Sequence, residues 1–224
     1  LIAEELGAAY LMQGYARAFA GGDSIQIDIG LVDPSSRRQI WNVKYQELMD
    51  EAPSLQSAIA RKVAASLNVH LSPSERESLD FVNTKNGDAY MKFSEARNEF
   101  YYLQPNRMER VISLLEEAVA LDPNYAQAHT FLAWAMALQG WPDWKVDQEL
   151  LLSYRNRIEM HLNRADELNP SSSDILLVRA NYTAIFLGDL KKAVDLTDEA
   201  IKLNTWPEIP TSLCICTAVS VNAI

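Results

Sequence analysis

A chain of 224 residues is long enough for one or two domains, and 48% hydrophobic with 22% charged residues is the composition of a folded globular protein. The formal net charge of -10 comes from acidic groups that outnumber basic ones on both sides of residue 85, so there is no concentrated basic face to hold a nucleic-acid backbone. No apolar run approaches the ~20 residues that cross a bilayer, and the first residues have neither the basic stretch nor the cleavage pattern of a signal peptide; a chain that opens at Leu1 leaves upstream segments and the compartment open.

In chain order, "LIAEELG" reads as the tail of a helix stopped by Gly7, and "AYLMQGYARAF" as a strand ending at the turn signal Gly21-Gly22. "SIQIDIGLVDP" alternates Ile25, Ile27, Ile29 and Leu31 with polar or small residues, the two-residue period of a half-buried strand. Asp33-Pro34-Ser35-Ser36 is a turn, and Ile40, Trp41, Val43 and Tyr45 mark a returning strand. Behind Pro53-Ser54, a good helix start, Leu55, Ile59, Val63 and Leu67 recur every four residues until Ser72-Pro73 ends the run. The predicted order is helix, three strands, helix.

These residues resemble the second half of the TolB amino-terminal-like α/β domain of bacterial signalling proteins. The likeness rests on the Glu-Leu-Gly at the end of the first helix, Gly14 in a strand, Leu31-Val32-Asp33 closing the next strand and Trp41 in the last. It implies a partial α/β domain over residues 1–72, lacking the family's opening strand and helix, followed by a linker over 73–86.

From residue 87 the text is helical. Aligning "LLEEAVALDPN", "HLNRADELNPS" and "LTDEAIKLNTW" puts Ala118, Ala165 and Ala200 in register, each with a leucine three residues later: Leu121, Leu168 and Leu203. The last two alanines are separated by close to the ~34 residues of a tetratricopeptide repeat, which this segment resembles. In that family two antiparallel helices pack closely, small residues sit where their axes approach, and proline often follows the second helix, as Pro123 and Pro170 do here. The resemblance implies three repeats, 87–123, 124–170 and 171–206. Their signatures are Tyr90, Phe93, Ser94, Arg97, Val111, Leu115 and Ala118; then His129, Leu132, Ala133, Met136, Ile158, Leu162 and Ala165; then Leu177, Ala180, Asn181, Ala184, Ala193, Thr197 and Ala200, with Gly188-Asp189 at the turn. The predicted fold class is α+β: a partial α/β domain followed by an α-helical tetratricopeptide solenoid.

Two stretches depart from the pattern. The second repeat has about thirteen extra residues, a loop with Trp141 and Trp144 leading into a lengthened helix marked by Leu150, Tyr154, Ile158 and Leu162. After Thr205, where proline is usual, residues 207–224 form an atypical tail without the polar capping helix of a solenoid. The tail holds the only cysteines, Cys214 and Cys216, which read as apolar residues: one intervening residue disfavours a relaxed disulfide, and two thiols cannot complete a zinc site.

No catalytic residues, metal site or cofactor are expected. Glu116-Glu117, Asp166-Glu167 and Asp198-Glu199 point about 100° apart on a helix and do not converge as an acid-base pair, and His70, His129 and His161 share no ligand spacing. Gly21-Gly22 lacks the Gly-Lys-Ser/Thr of a phosphate loop, and Asp122 lacks the further oxygens of a calcium loop. The resemblance implies a protein or peptide partner held in a concave groove lined by the first helix of each repeat. The projected groove residues are Gln127, Thr130, Trp134 and Leu138 from the second repeat and Ile175, Val178, Tyr182 and Phe186 from the third, with Trp134 and Tyr182 expected as exposed anchors. Gln127, Thr130 and Trp134 stand where other repeat proteins carry basic residues that clamp a C-terminal carboxylate. The function expected is a non-catalytic interaction scaffold; alternatively, the chain is the C-terminal regulatory region of a bacterial adenylate or guanylate cyclase or of a winged-helix transcriptional regulator.

Overall fold

Among the described residues three strands come first: β1 (Leu11–Ala18), β2 (Ser24–Asp33) and β3 (Arg38–Leu48) pair antiparallel in the order β1-β2-β3. The computed structural model describes residues 8–18, 24–70, 76, 83–100, 105–139, 148–170 and 172–203; the helix expected over 1–7 and the Gly21-Gly22 turn lie outside them. Alternation along β2 puts Ile25, Ile27, Ile29 and Leu31 on one face, where register sets them beside Met12, Gly14, Ala16 and Ala18 of β1 and Trp41, Val43 and Tyr45 of β3. On the opposite face Asp28 accepts from Asn42 at 2.9 Å and pairs with Lys44 at 3.3 Å, and the Asn42 bond, then Lys44, holds its carboxyl below the usual range. The register shifts between Leu31, opposite Trp41, and Val32, opposite Gln39. Ile40 is thus the extra residue of a bulge, which explains two consecutive large apolar residues in an otherwise alternating strand.

Chain reversal between β2 and β3 depends on Asp33. Its carboxylate accepts from the Ser35 hydroxyl at 2.6 Å and amide at 2.8 Å, and from the Ser36 hydroxyl at 2.8 Å and amide at 3.2 Å. The Ser35 and Ser36 side-chain bonds bring its pKa down to about 2. Gly14 sits where β1 and β2 approach closely: a Cβ there would lie 2.3 Å from the Asp28 carbonyl oxygen.

A single 3-10 turn, Met49–Glu51, leads into α1 (Ala52–Ser66), with proline in its first turn. Ala52 and Leu55 are buried, while Ile59 and Val63 are half-buried. The helix stops where Asn68 takes the left-handed conformation at φ 53, with the Val69 amide donating to Ala64 O at 2.9 Å. Two compact units result, Leu1–Asp88 and Ala89–Ile224.

Six helices follow among the described residues: α2 (Gly87–Phe100), α3 (Pro105–Leu121), α4 (Ala126–Leu138), α5 (Gln148–Leu168), α6 (Ser173–Leu187) and α7 (Leu190–Leu203). Ion pairs show that α2 and α3 run antiparallel: Lys92 meets Glu117 at 2.6 Å, Glu95 meets Arg110, and Glu99 meets Arg107 at 2.6 Å. Between α5 and α6 the order reverses in the same way, Asp166 with Arg179 and Glu159 with Tyr182. Gly188, left-handed at φ 69, ends α6, and the Asp189 carboxylate caps α7 by accepting from the Lys192 amide at 3.0 Å.

An aromatic layer joins α2 to α4: the Phe93 ring lies 5.1 Å from Tyr125 and 5.2 Å from Phe131, and Phe100 lies 4.2 Å from Trp134. The aligned alanines, Ala118, Ala165 and Ala200, are all fully buried, whereas Leu121 and Leu203 are exposed and Leu168 is half-buried. The small residues are therefore enclosed in the core, and the leucines three positions on lie at its margins. The long α5 buries Tyr154, Ile158 and Leu162; Trp141, Trp144 and the tail with Cys214 and Cys216 lie outside the described residues.

Candidate functional site

The eight projected groove residues fall on α4 and α6. Gln127 is half-buried in the first turn of α4. Thr130 is buried, its hydroxyl donating back to Ala126 O at 3.0 Å. Trp134 packs between Phe100 and Phe131, whose ring centroids are 4.2 Å and 5.5 Å away, and Leu138 is buried one turn on. On α6, Ile175 and Val178 are buried; the Tyr182 hydroxyl donates to Glu159 of α5 at 2.6 Å, and Phe186, half-buried, stacks on Tyr182 at 5.5 Å.

The expectation that Trp134 and Tyr182 are exposed anchors is corrected here, since each is only 3% exposed. The cause is reach. An indole on α4 extends into the aromatic layer of α2, and a phenol on α6 spans the gap to α5, so both fill spaces between helices. A signal for this lies in the sequence: "AQAHTFLAWAMAL" and "SDILLVRANYTAIFL" are apolar on nearly every side, as befits helices enclosed by neighbours, whereas an outer helix such as α7 buries one narrow stripe, Ala193, Thr197 and Ala200. The Trp134 indole N–H and the Gln139 side-chain amide are buried with no acceptor among the described residues. Of the eight, Gln127 and Phe186 are half-buried and the other six are buried.

One constellation was not foreseen. His129 and His161, 32 residues apart on α4 and α5, meet with 2.9 Å between their Nδ1 atoms and are both buried, while His70 is exposed. Nε2 of His129 lies 3.1 Å from the Pro123 carbonyl oxygen, which can only accept. In the neutral pair His129 therefore carries its proton on Nε2, leaving Nδ1 bare to accept from His161 Nδ1–H. Burial is the main cause pushing both pKa values down, that of His161 to about 4, with the neighbouring imidazole and Arg157 adding to it. The repeat pattern includes His129 but not His161, and the pattern of one helix does not say which inward faces meet.

Two of the three acidic doublets, Glu116-Glu117 and Asp166-Glu167, are engaged by basic residues, while Asp198-Glu199 is exposed on α7. Glu116 pairs with Arg157 of α5 and Glu117 with Lys92 of α2; Asp166 pairs with Arg179 of α6 and Glu167 with Arg164 at 2.8 Å. Among the described residues no three histidine, cysteine, aspartate or glutamate side chains gather as metal ligands, and no helix is long and apolar enough to cross a membrane. No protein-family model matches the chain, and no curated protein matches it.

Proposed function

We propose that the helical unit is a non-catalytic interaction module of tetratricopeptide-like helix pairs, preceded by a partial TolB-like domain, and that it holds a protein or peptide segment along the face formed by α2, α4 and α6. The observation that carries this reading is the burial of Ala118, Ala165 and Ala200 on the second helix of each successive pair, α3, α5 and α7. Gln127 and Phe186 are the accessible contacts, with Trp134 and Tyr182 as the floor beneath them. Without basic residues at Gln127, Thr130 and Trp134, peptides that bind through a terminal carboxylate are poor partners.

The test is affinity capture on the full chain followed by cross-linking mass spectrometry, with the double variant Gln127→Arg, Phe186→Ala alongside. Cross-links to α2, α4 and α6, together with a loss of at least about 1 kcal/mol in the variant at unchanged helicity, support the reading. Undiminished binding by the variant overturns the groove, and steady turnover by the purified chain that one carboxylate substitution abolishes overturns the non-catalytic assignment.

A further inference from the structure

The buried histidine pair ties together three parts of the helical unit: the turn after α3 through the Pro123 carbonyl, α4 through His129, and α5 through His161. Every polar atom along the chain Pro123 O, His129 Nε2, His129 Nδ1 and His161 Nδ1 is used, and each proton position is dictated by the one before it. A first added proton can go only to His161 Nε2, because that leaves the Nδ1–H···Nδ1 bond in place. A second must go to His129 Nδ1, and then two N–H groups on two cations face each other where one bond had been.

From this geometry we infer that the His129–His161 pair is a proton-operated latch, holding the α4–α5 crossing and the Pro123 turn closed while His129 Nδ1 is bare and opening it on acidification.

The surrounding groups set the sense. Arg157 and Arg164 of α5 face the pair and oppose added positive charge. The Arg157 charge is partly met by Glu116 of α3, and that of Arg164 by Glu167. Asp122, in the turn after α3, favours a charged His129 but is outweighed by burial. The folded state thus refuses protons that the unfolded chain accepts at an ordinary histidine pKa near 6.5. Stability is complete above that value and falls as pH drops towards about 4, where His161 itself takes a proton in the folded state.

The experiment is urea unfolding of the full chain between pH 8 and 4, comparing wild type, the double variant His129→Asn, His161→Asn, which retains an amide-to-amide pair that cannot titrate, and His70→Asn as the exposed control. Wild type and the control should lose up to about tenfold in the folded-to-unfolded ratio per pH unit for each latched histidine below about 6.5, and the double variant should lack that component. Superimposable profiles for wild type and double variant overturn the latch. Should the double variant not fold, imidazole nitrogen NMR on wild type decides: the latch requires a proton on Nε2 of His129 and Nδ1 of His161, with neither ring titrating at the ordinary histidine value near 6.5. Titration of either ring near 6.5, or the opposite tautomers, overturns it.

Discussion

Replacing Ala165 by leucine tests whether the small residues mark closed helix crossings. Ala165 is fully buried on α5, one turn beyond His161. Because His161 meets His129 while Arg164, further along α5, donates to Asn124 ahead of α4 at 2.6 Å, the two helices run antiparallel and Ala165 falls towards the start of α4, where Tyr125 and Ala126 are also buried. Leucine adds three carbons. In an open space each would gain about 0.8 kcal/mol on burial, about 2.4 kcal/mol in all. With no open space, the added atoms force off-rotamer side chains or spread the helices, and the net expectation is a loss of about 1–3 kcal/mol. At roughly 4 °C per kcal/mol for a unit of this size, the helical melting transition followed by circular dichroism should fall by about 4–12 °C. Met160→Ala, at an exposed position of the same helix, should change stability by no more than about 0.5 kcal/mol. A leucine variant that melts at or above the wild-type temperature would mean that the crossing has room, and the packing argument would fail.

Trp134→Ala should destabilise the helical unit by about 3–5 kcal/mol in urea titrations, because the indole fills the space between Phe100 and Phe131; a wild-type midpoint would place the side chain on the surface instead. Gly14→Val should break the pairing of β1 with β2, since its Cβ has no place 2.3 Å from the Asp28 carbonyl, and amide exchange through β1 should accelerate while α4 and α5 remain protected; unchanged protection in β1 contradicts the close approach.

Much of the fold is legible in local pattern. The alternation of Ile25, Ile27, Ile29 and Leu31 specifies a strand and its apolar face, Pro53 marks the entry to α1, and Gly188 marks the turn between α6 and α7, because each is a local preference expressed within a few residues. The aligned alanines are legible for a different reason: close crossings exclude every larger side chain, so the constraint leaves its trace in residue size. What stayed hidden depends on neighbours. Trp134 and Tyr182 have side chains suited to a binding surface, and only the adjacent α2 and α5 turn them into core. The histidine pair is the strongest case, since its two members lie on inward faces of separate helices and their meeting depends on the length and course of the segment between them.

Alanine alone does not fix how two helices are aligned, because small residues let the axes approach at several offsets. Alignment needs directional contacts, and the acidic doublets supply them. Adjacent residues on a helix point about 100° apart, so Glu117 reaches back to Lys92 on α2 while Glu116 reaches forward to Arg157 on α5. Each such pair, half-exposed, contributes at most about 1 kcal/mol, so the doublets add little to stability. Their effect is on choice of register: a slip of one turn leaves the packed alanines nearly as comfortable but separates Glu116, Glu117 and Asp166 from their partners on neighbouring helices. In the same way, the bond between His129 and His161 fixes the offset of α4 against α5, where α5 buries Ile158, Leu162 and Ala165. Close packing holds the helices together, and a few weak, directional polar contacts determine which of the possible packings is adopted.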